Sequence, residues 1–373
     1  MAKQIYDVVN SVNSQTLGTA NITVVNERDL ISLGNVVLSS TSTTEEWLNT
    51  LIQRIGKTVY SYRQYKSMFS DLVLTDFEYG NIMQKLKVSM PKAEADESYN
   101  IVNGSSVDMY KVAKPDVKQK LFTSDTPFQT HISIQRVHLK EAFTSESNMR
   151  SFISQIYGEV QNFLELSLEN LGRNCLNNYI AEVSDKPTRA INVLRRYNTV
   201  TNKNLTVDTA MFDPDFIRYT VGLIKLYSKK MTSMSTLYND GTTERHTPLD
   251  MQKIYLLADY ETQFETVVQY RAFNKEFVSL NGYKSVPYWQ SAKDGETMNV
   301  KVKRASDGQE KTVENIIACI FDKDALGIVK RDEWTSTTPF NSAGGYTNTY
   351  WHNRDIYIND MSENFILFYM AQA

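Results

Sequence analysis

Hydrophobic positions along this chain fall into one very long helical run, a few short solid runs, and broad stretches where they are sparse. From Glu146 to about Val183, the residues Phe152, Ile153, Ile156, Val160, Phe163, Leu164, Leu168, Leu171, Cys175 and Tyr179 recur at intervals of three and four, with no proline. That spacing predicts an unbroken helix of some 35 residues, about 50 Å long. Helices in globular proteins average about 11 to 12 residues, so this one reads as a strut. Its apolar positions keep no strict seven-residue repeat, which favours packing against a sheet of the same chain over a coiled coil. A second helix is predicted to open at Asp213-Pro214, with Phe216, Ile217, Tyr219, Leu223, Ile224 and Tyr227 following.

Short apolar runs at Ile254 to Ala258, Ile316 to Phe321 and Phe365 to Met370 are the pattern of strands covered on both faces, candidates for one central sheet. Between them, Glu261 to Leu280 is amphipathic and predicted helical. Asn299 to Val313 reads as a hairpin turning at Asp307-Gly308.

The N-terminal third looks different. Residues 1–44 are rich in Asn, Ser and Thr, with only brief apolar runs at Ile22 to Val25 and Val36 to Leu38, and are expected to form an arm that lies on something else. Thr43 and Glu46 have capping-box spacing, and Trp47, Leu48, Leu51, Ile52 and Ile55 follow at helical intervals up to Gly56. From Lys57 to about Arg136 the pattern is alternation and turns, with a strand candidate at Asn81 to Met90. Polar breaks follow at Pro91 to Asn100 and at Gly104-Ser105-Ser106. An isolated hairpin is marginal in water, so such an excursion is expected to lie across a neighbour.

Composition narrows the function classes. The chain has 373 residues, 22% charged and 41% hydrophobic, enough for two or three packed lobes and too apolar for general disorder. A formal net charge of −3 argues against a dense phosphate-neutralising face. The two cysteines, Cys175 and Cys319, sit in apolar runs and read as buried hydrophobes. No stretch approaches the roughly 20 apolar residues that span a bilayer, and the N-terminus has no signal-peptide layout, so synthesis in the cytosol is expected. The 22 tyrosines are a mild sign of extensive protein contacts.

Candidate chemistry is thin. The histidines, His131, His138, His246 and His352, are scattered, and no HExxH, CxxC, GxSxG or phosphate-loop pattern occurs. His131 and His138, seven apart in a predicted strand, would face opposite sides and could not share a metal. Asp322 and Asp324 follow a predicted buried strand, where α/β enzymes place carboxylates, but without a third acid they read as a turn. Gly344-Gly345 lacks the strand and helix of a phosphate cradle and is expected to be a turn between strands. Lys111, Lys114, Lys118 and Lys120 form the densest basic cluster, a solvated face or a contact with DNA or a neighbouring subunit. No catalytic residue, cofactor or metal is predicted.

The order of arm, short helix, two-stranded excursion, very long helix, mixed lobe and late strands resembles the Hong Kong 97 type of phage capsid fold. The stretches Leu51 to Val59 and Phe143 to Ile153, and Asp322-Lys323-Asp324 with Tyr346, Tyr350, Trp351 and His352, are similar to the major capsid proteins of small podophages of the phi-29 kind. The resemblance in element order covers nearly the whole chain. It implies an α+β fold in which residues 1–44 are the N-terminal arm and 61–135 the extended loop. Residues 45–60, 136–200 and 335–362 would be a peripheral domain built on a spine helix at about 146–183, and 201–334 with 363–373 the axial domain. The chain ends soon after the last strand, so the immunoglobulin-like C-terminal domain of some relatives is expected to be absent. The implied function is structural, a shell of pentamers and hexamers of the chain itself around double-stranded DNA, with scaffolding and portal proteins as partners and no membrane. A protein-storing compartment shell and a portal or tail component are the alternatives. No lysine–asparagine cross-link is predicted.

Overall fold

The structure, a computed structural model, describes residues 2–17, 22–55, 65–76, 83–91, 94–110, 112, 114–123, 125–269 and 282–372. Three helices come first: α1 (Ala2–Thr16), α2 (Glu27–Val37) and α3 (Thr41–Ile55). Ile5, Val9 and Val12 share one face of α1 and Leu30, Leu33 and Val37 one face of α2. All six are buried, and with Trp47, Leu48 and Leu51 they build a core of their own. The arm expected over 1–44 is therefore corrected to a packed helical lobe. The Asn-rich composition that suggested an arm supplies local hydrogen bonds instead. Asn26 Oδ1 accepts from the Asp29 N–H at 3.0 Å to cap α2. Asn10 both donates to the Val24 carbonyl and accepts from the Val24 N–H. Helix α3 starts ahead of the expected Thr43 because Ser40 Oγ is its cap, accepting from the Thr43 N–H.

The chain then runs through β1 (Val73–Asp76), β2 (Met83–Val88), β3 (Val117–Phe122), β4 (Asp125–Gln135) and α4 (Arg136–Ala142). Strands β2 and β3 pair antiparallel from Met83 with Phe122 to Val88 with Val117, forming the projecting hairpin. The excursion is narrower than the expected 61–135, because β1 and β4 at its two ends pair in a separate sheet. His138 lies in α4, not in a strand.

Helix α5 (Glu146–Val183) is 38 residues long, about 57 Å at 1.5 Å per residue, and is capped by Ser145 accepting from the Asn148 N–H. One rod serves two cores. Met149, Ile153 and Ile156 close the N-terminal core, while Cys175, Leu176, Tyr179, Ile180 and Val183 enter the largest core.

That larger core is assembled from β5 (Ala190–Asn192), α6 (Val193–Thr201), α7 (Val207–Ala210), α8 (Pro214–Met231), β6 (Gln252–Leu257), α9 (Ala258–Gln263) and β7 (Tyr283–Val286). It also takes in the small hairpin β8 (Val300–Lys303) and β9 (Glu310–Val313), then β10 (Ile316–Asp322). Asp213 caps α8, its carboxylate accepting from the N–H groups of Asp215 and Phe216, with Pro214 in the first turn as predicted. Helix α9 continues as a π-helical stretch to Gln269; the rest of the predicted Glu261 to Leu280 helix lies outside the described residues. The last strands are β11 (Leu326–Thr337), β12 (Tyr346–Asn359) and β13 (Phe365–Tyr369).

The three apolar runs do share one sheet, in the order β5-β13-β10-β6-β7, with β10 antiparallel to both of its neighbours. Every residue of β10 is buried, which is why its sequence shows no alternation. The second sheet, β1-β11-β12-β4, contains all of β11, so the domain boundary expected between 334 and 335 would cut a strand. Its β11–β12 connection turns at Gly345, whose φ of +68° suits glycine, with the Gly345 N–H bonded to the Asn341 carbonyl. Gly344-Gly345 is thus a turn between strands.

Candidate assembly surface

The hairpin β2–β3 presents a face of four lysines. Alternation puts Lys85 and Lys87 on the same side of β2, and the register sets Lys120 opposite Lys85 and Lys118 opposite Lys87. Like charges directly opposite one another destabilise a strand pair, so this face needs counter-ions. They come from the connection between β12 and β13. Lys85 Nζ lies 2.9 Å from Asp360 and 2.8 Å from Glu363, and Lys87 Nζ lies 2.8 Å from Asp360 and 2.9 Å from Glu363. Lys120 reaches Asp360 at 3.3 Å, and Arg245 approaches Glu363 at 3.8 Å.

Asp360 is fully buried. Burial alone would raise its carboxyl pKa, but the Lys85 ammonium and hydrogen bonds from Lys87 and Ser362 outweigh it and hold the group well below the usual carboxylate range. Burial is outweighed in the same way at Glu363, which is lowered by both lysines. Lys85 is raised, because Asp360 and Glu363 overcome its desolvation.

The segment ahead of β1 is held by α5. The Tyr65 N–H donates to Asn162 Oδ1 at 3.0 Å, the Ser67 N–H to Glu165 at 2.8 Å and the Met68 N–H to Glu169 at 3.3 Å. The Tyr65 hydroxyl also donates to Glu169, and this bond pushes the Tyr65 pKa up to about 12. Buried Arg173 pairs with Glu169 at 2.6 Å and stacks 3.9 Å from the Tyr288 ring. Gly172 lets Phe69 lie close against the helix, since a Cβ there would sit 2.7 Å from Phe69 Cβ.

Beyond its strands, the hairpin ends in a tip whose apolar side chains face outward. Met109 is 79% exposed and Tyr110 81%, and Tyr99, Val102 and Val112 are similarly bare. Large apolar side chains exposed this densely along one segment suit an interaction surface.

Of the lysine cluster read from sequence, Lys118 and Lys120 share the β3 side of this face. Lys118 donates to the Thr242 carbonyl at 2.9 Å and Lys120 joins Asp360, whereas Lys114 lies exposed past the strand and Lys111 falls outside the described residues. Sequence reasoning missed Lys85, Lys87, Asp360 and Glu363. The alternation in Lys85-Leu86-Lys87 was the available signal, but its acidic partners lie far away along the chain.

The remaining candidates are structural. Asp322 ends β10 in a turn, accepting from the Asp324 N–H and from the Thr247 hydroxyl, and its carboxyl is raised by burial. His131 stacks on Tyr350 and His352 on Trp334, at ring separations of 5.2 and 3.7 Å. Both cysteines are buried and unpaired with each other, and burial pushes the Cys175 thiol up to about 12. Among the described residues no group of His, Cys, Asp and Glu could hold a metal ion, and no helix is long and apolar enough to cross a membrane.

A rod bracing two cores, with a clamped hairpin and a bare apolar tip, has known counterparts. The sequence profile described as Phi29-like phage major capsid protein matches residues 7–369. The chain belongs to that family. It is 21% identical over 271 residues to the major capsid protein of Bacillus phage GA-1, an alignment covering 70% of this chain and 52% of the relative. With the major capsid protein of Bacillus phage B103 it shares 19% over 285 residues, covering 75% and 59%. The chain thus spans little more than half the length of the curated relatives it matches.

Among solved structures, the capsid of Staphylococcus phage Andhra superposes with a TM-score of 0.55 at 10% identity, over 84% of this chain and 87% of the other. The capsid of cyanophage P-SCSP1u gives 0.50 at 14% identity, over 85% and 91%. The fold is the Hong Kong 97 type, α+β, as the element order implied.

Proposed function

We propose that copies of this chain tile a closed icosahedral shell, as pentamers and hexamers, around packaged double-stranded DNA. The observation that carries this is the pairing of a rigid body, braced end to end by α5, with a hairpin whose apolar tip its own chain leaves uncovered. A monomer has no use for such a tip. Repeated head-to-tail contacts between tip and neighbour generate rings, and rings joined by further contacts close a shell. Each contact can be weak, because every subunit makes several at once.

Contact with DNA is loose in this account. The net charge of −3 leaves no dense basic face, and of the four lysines once candidate for such a role Lys118 and Lys120 are engaged within the chain. Assembly takes place in the host bacterial cytoplasm, with a scaffolding protein and a portal as partners. Electron microscopy of the expressed chain, alone and with neighbouring gene products, tests the reading. Closed spheres that take up DNA support it. Rings or tubes alone, spheres filled with protein cargo, or a compact monomer under all conditions would overturn it.

A further inference from the structure

Helices α2 and α5 each hold a glycine whose missing side chain makes room for a ring of the same chain. A Cβ on Gly34 would lie 2.6 Å from Phe143, and one on Gly172 2.7 Å from Phe69. Gly222, at the centre of α8, is different. A Cβ there would meet nothing within 4 Å, and the residue is exposed. Glycine inside a helix costs stability relative to alanine, and no contact within the described chain accounts for it here.

Lys225, Leu226, Lys229 and Lys230 follow Gly222 at helical spacing, which sets all five on one face of α8. Leu226 is 42% exposed. Lys230 lies 5.1 Å from the Tyr227 ring, whose hydroxyl accepts from Arg196 of α6 at 3.0 Å. Four cations thus gather at this end of the α6–α8 pair, and among the described residues none of them forms an ion pair with a carboxylate. The other end is balanced, since Lys203 pairs with Asp213 at 3.4 Å and Arg218 with Asp215 at 3.7 Å. The Lys225 ammonium is lowered by burial and by neighbouring Lys229, with no anion to offset them. The helix dipole suits Lys229 and Lys230 in the last turn but accounts for neither Lys225 nor Gly222.

We infer that this face of α8 receives an acidic amphipathic helix of another protein, which crosses over Gly222 with its carboxylates against the four cations and an apolar side chain on Leu226. The inference goes beyond the shell reading and stands without it. The side chains at a helix crossing set the distance between the axes, so a glycine there lets two backbones come close. The unpaired cations select the sign of the partner. A leucine and a bare turn of backbone lie among them, a mixture that fits a helix with one apolar seam and not the continuous phosphate row of a duplex.

Fluorescence anisotropy on the full chain tests this with labelled probes. They are a short synthetic helix of Ala, Leu and Glu whose glutamates flank one leucine seam, a peptide of the same composition in shuffled order, and a short DNA duplex. The ordered peptide is expected to bind more tightly than either of the others. Lys225→Glu combined with Lys229→Glu should weaken it about tenfold. Gly222→Ala is the sharper variant, because it should raise the urea midpoint and yet weaken the peptide about fivefold. A stabilised Gly222→Ala chain that binds the peptide as before would overturn the inference, as would a lowered midpoint, equal binding of the shuffled peptide or tighter binding of the duplex. Assembly of the chain alone that the double charge reversal abolishes would put a second copy on this face and overturn it too. A chain that forms no particles but binds the ordered peptide in the expected way supports the inference and tells only against the shell.

Discussion

Strand β10 and the hairpin β2–β3 are held in place by opposite means. All seven residues of β10 are buried, between strands on both sides. In the strands of the hairpin, by contrast, only Lys87 and Phe122 are buried, and the contacts that dock it are lysine ion pairs and hydrogen bonds with one small apolar cluster around Phe122, Val329, Ile356 and Ile358. Apolar burial is non-directional and holds a lobe as a unit. Ion pairs need their partners in register, so a hairpin held by them can be set at a defined angle and released by a change in charge. The body is built to stay the same while its projection is built to be positioned.

The comparison is broken most severely by damage to the body. Phe321→Ala removes a ring that packs on Tyr255 and Phe365 within the central strand, and is expected to cost about 4 kcal/mol, seen as a large fall in the urea midpoint of the whole chain. Asp360→Asn removes the more deeply buried of the two carboxylates that Lys85 and Lys87 share, at a cost of about 3 kcal/mol. Its signature is regional: amide exchange speeds up at residues 83–88 and 117–122 while β10 stays protected. Uniform acceleration in both regions would contradict the division.

Gly172→Ala drives a methyl into Phe69 of the largest core, and is expected to destabilise the body by about 2 kcal/mol, with exchange rising around Phe69 and α5 and not selectively at residues 83–88 and 117–122. Acidification sharpens the contrast without mutation. The Asp360 and Glu363 carboxyls are depressed in the folded chain, so their contribution is fully present above the unfolded values near about 4 and is lost as pH falls through the lower folded values. Exchange at the hairpin should therefore rise below about pH 4 before β10 responds. The smallest effect is expected for Lys118→Ala, whose exposed ammonium meets a single carbonyl, with no measurable shift in the urea midpoint.

What the sequence made legible followed from how each element is held. Helix α5 could be read nearly to its ends because helical spacing of apolar residues runs through thirty-eight positions with no proline. The solid runs in β6, β10 and β13 announced a sheet covered on both faces. Helices α1 and α2 were missed because each buries a narrow apolar stripe, Ile5-Val9-Val12 and Leu30-Leu33-Val37, within a polar composition that looks like an arm. The lysine face was half visible. Alternation set Lys85 beside Lys87, but Asp360 lies 240 residues from Lys120, and nothing local announces a pair that only the fold brings together.

The most direct measurement on the central claim is electron microscopy of a chain in which residues 99–112 are replaced by a Gly-Ser segment of equal length, beside the unaltered chain. The account predicts that the altered chain keeps the same urea midpoint yet forms no closed particles. Normal shells from that chain would contradict it.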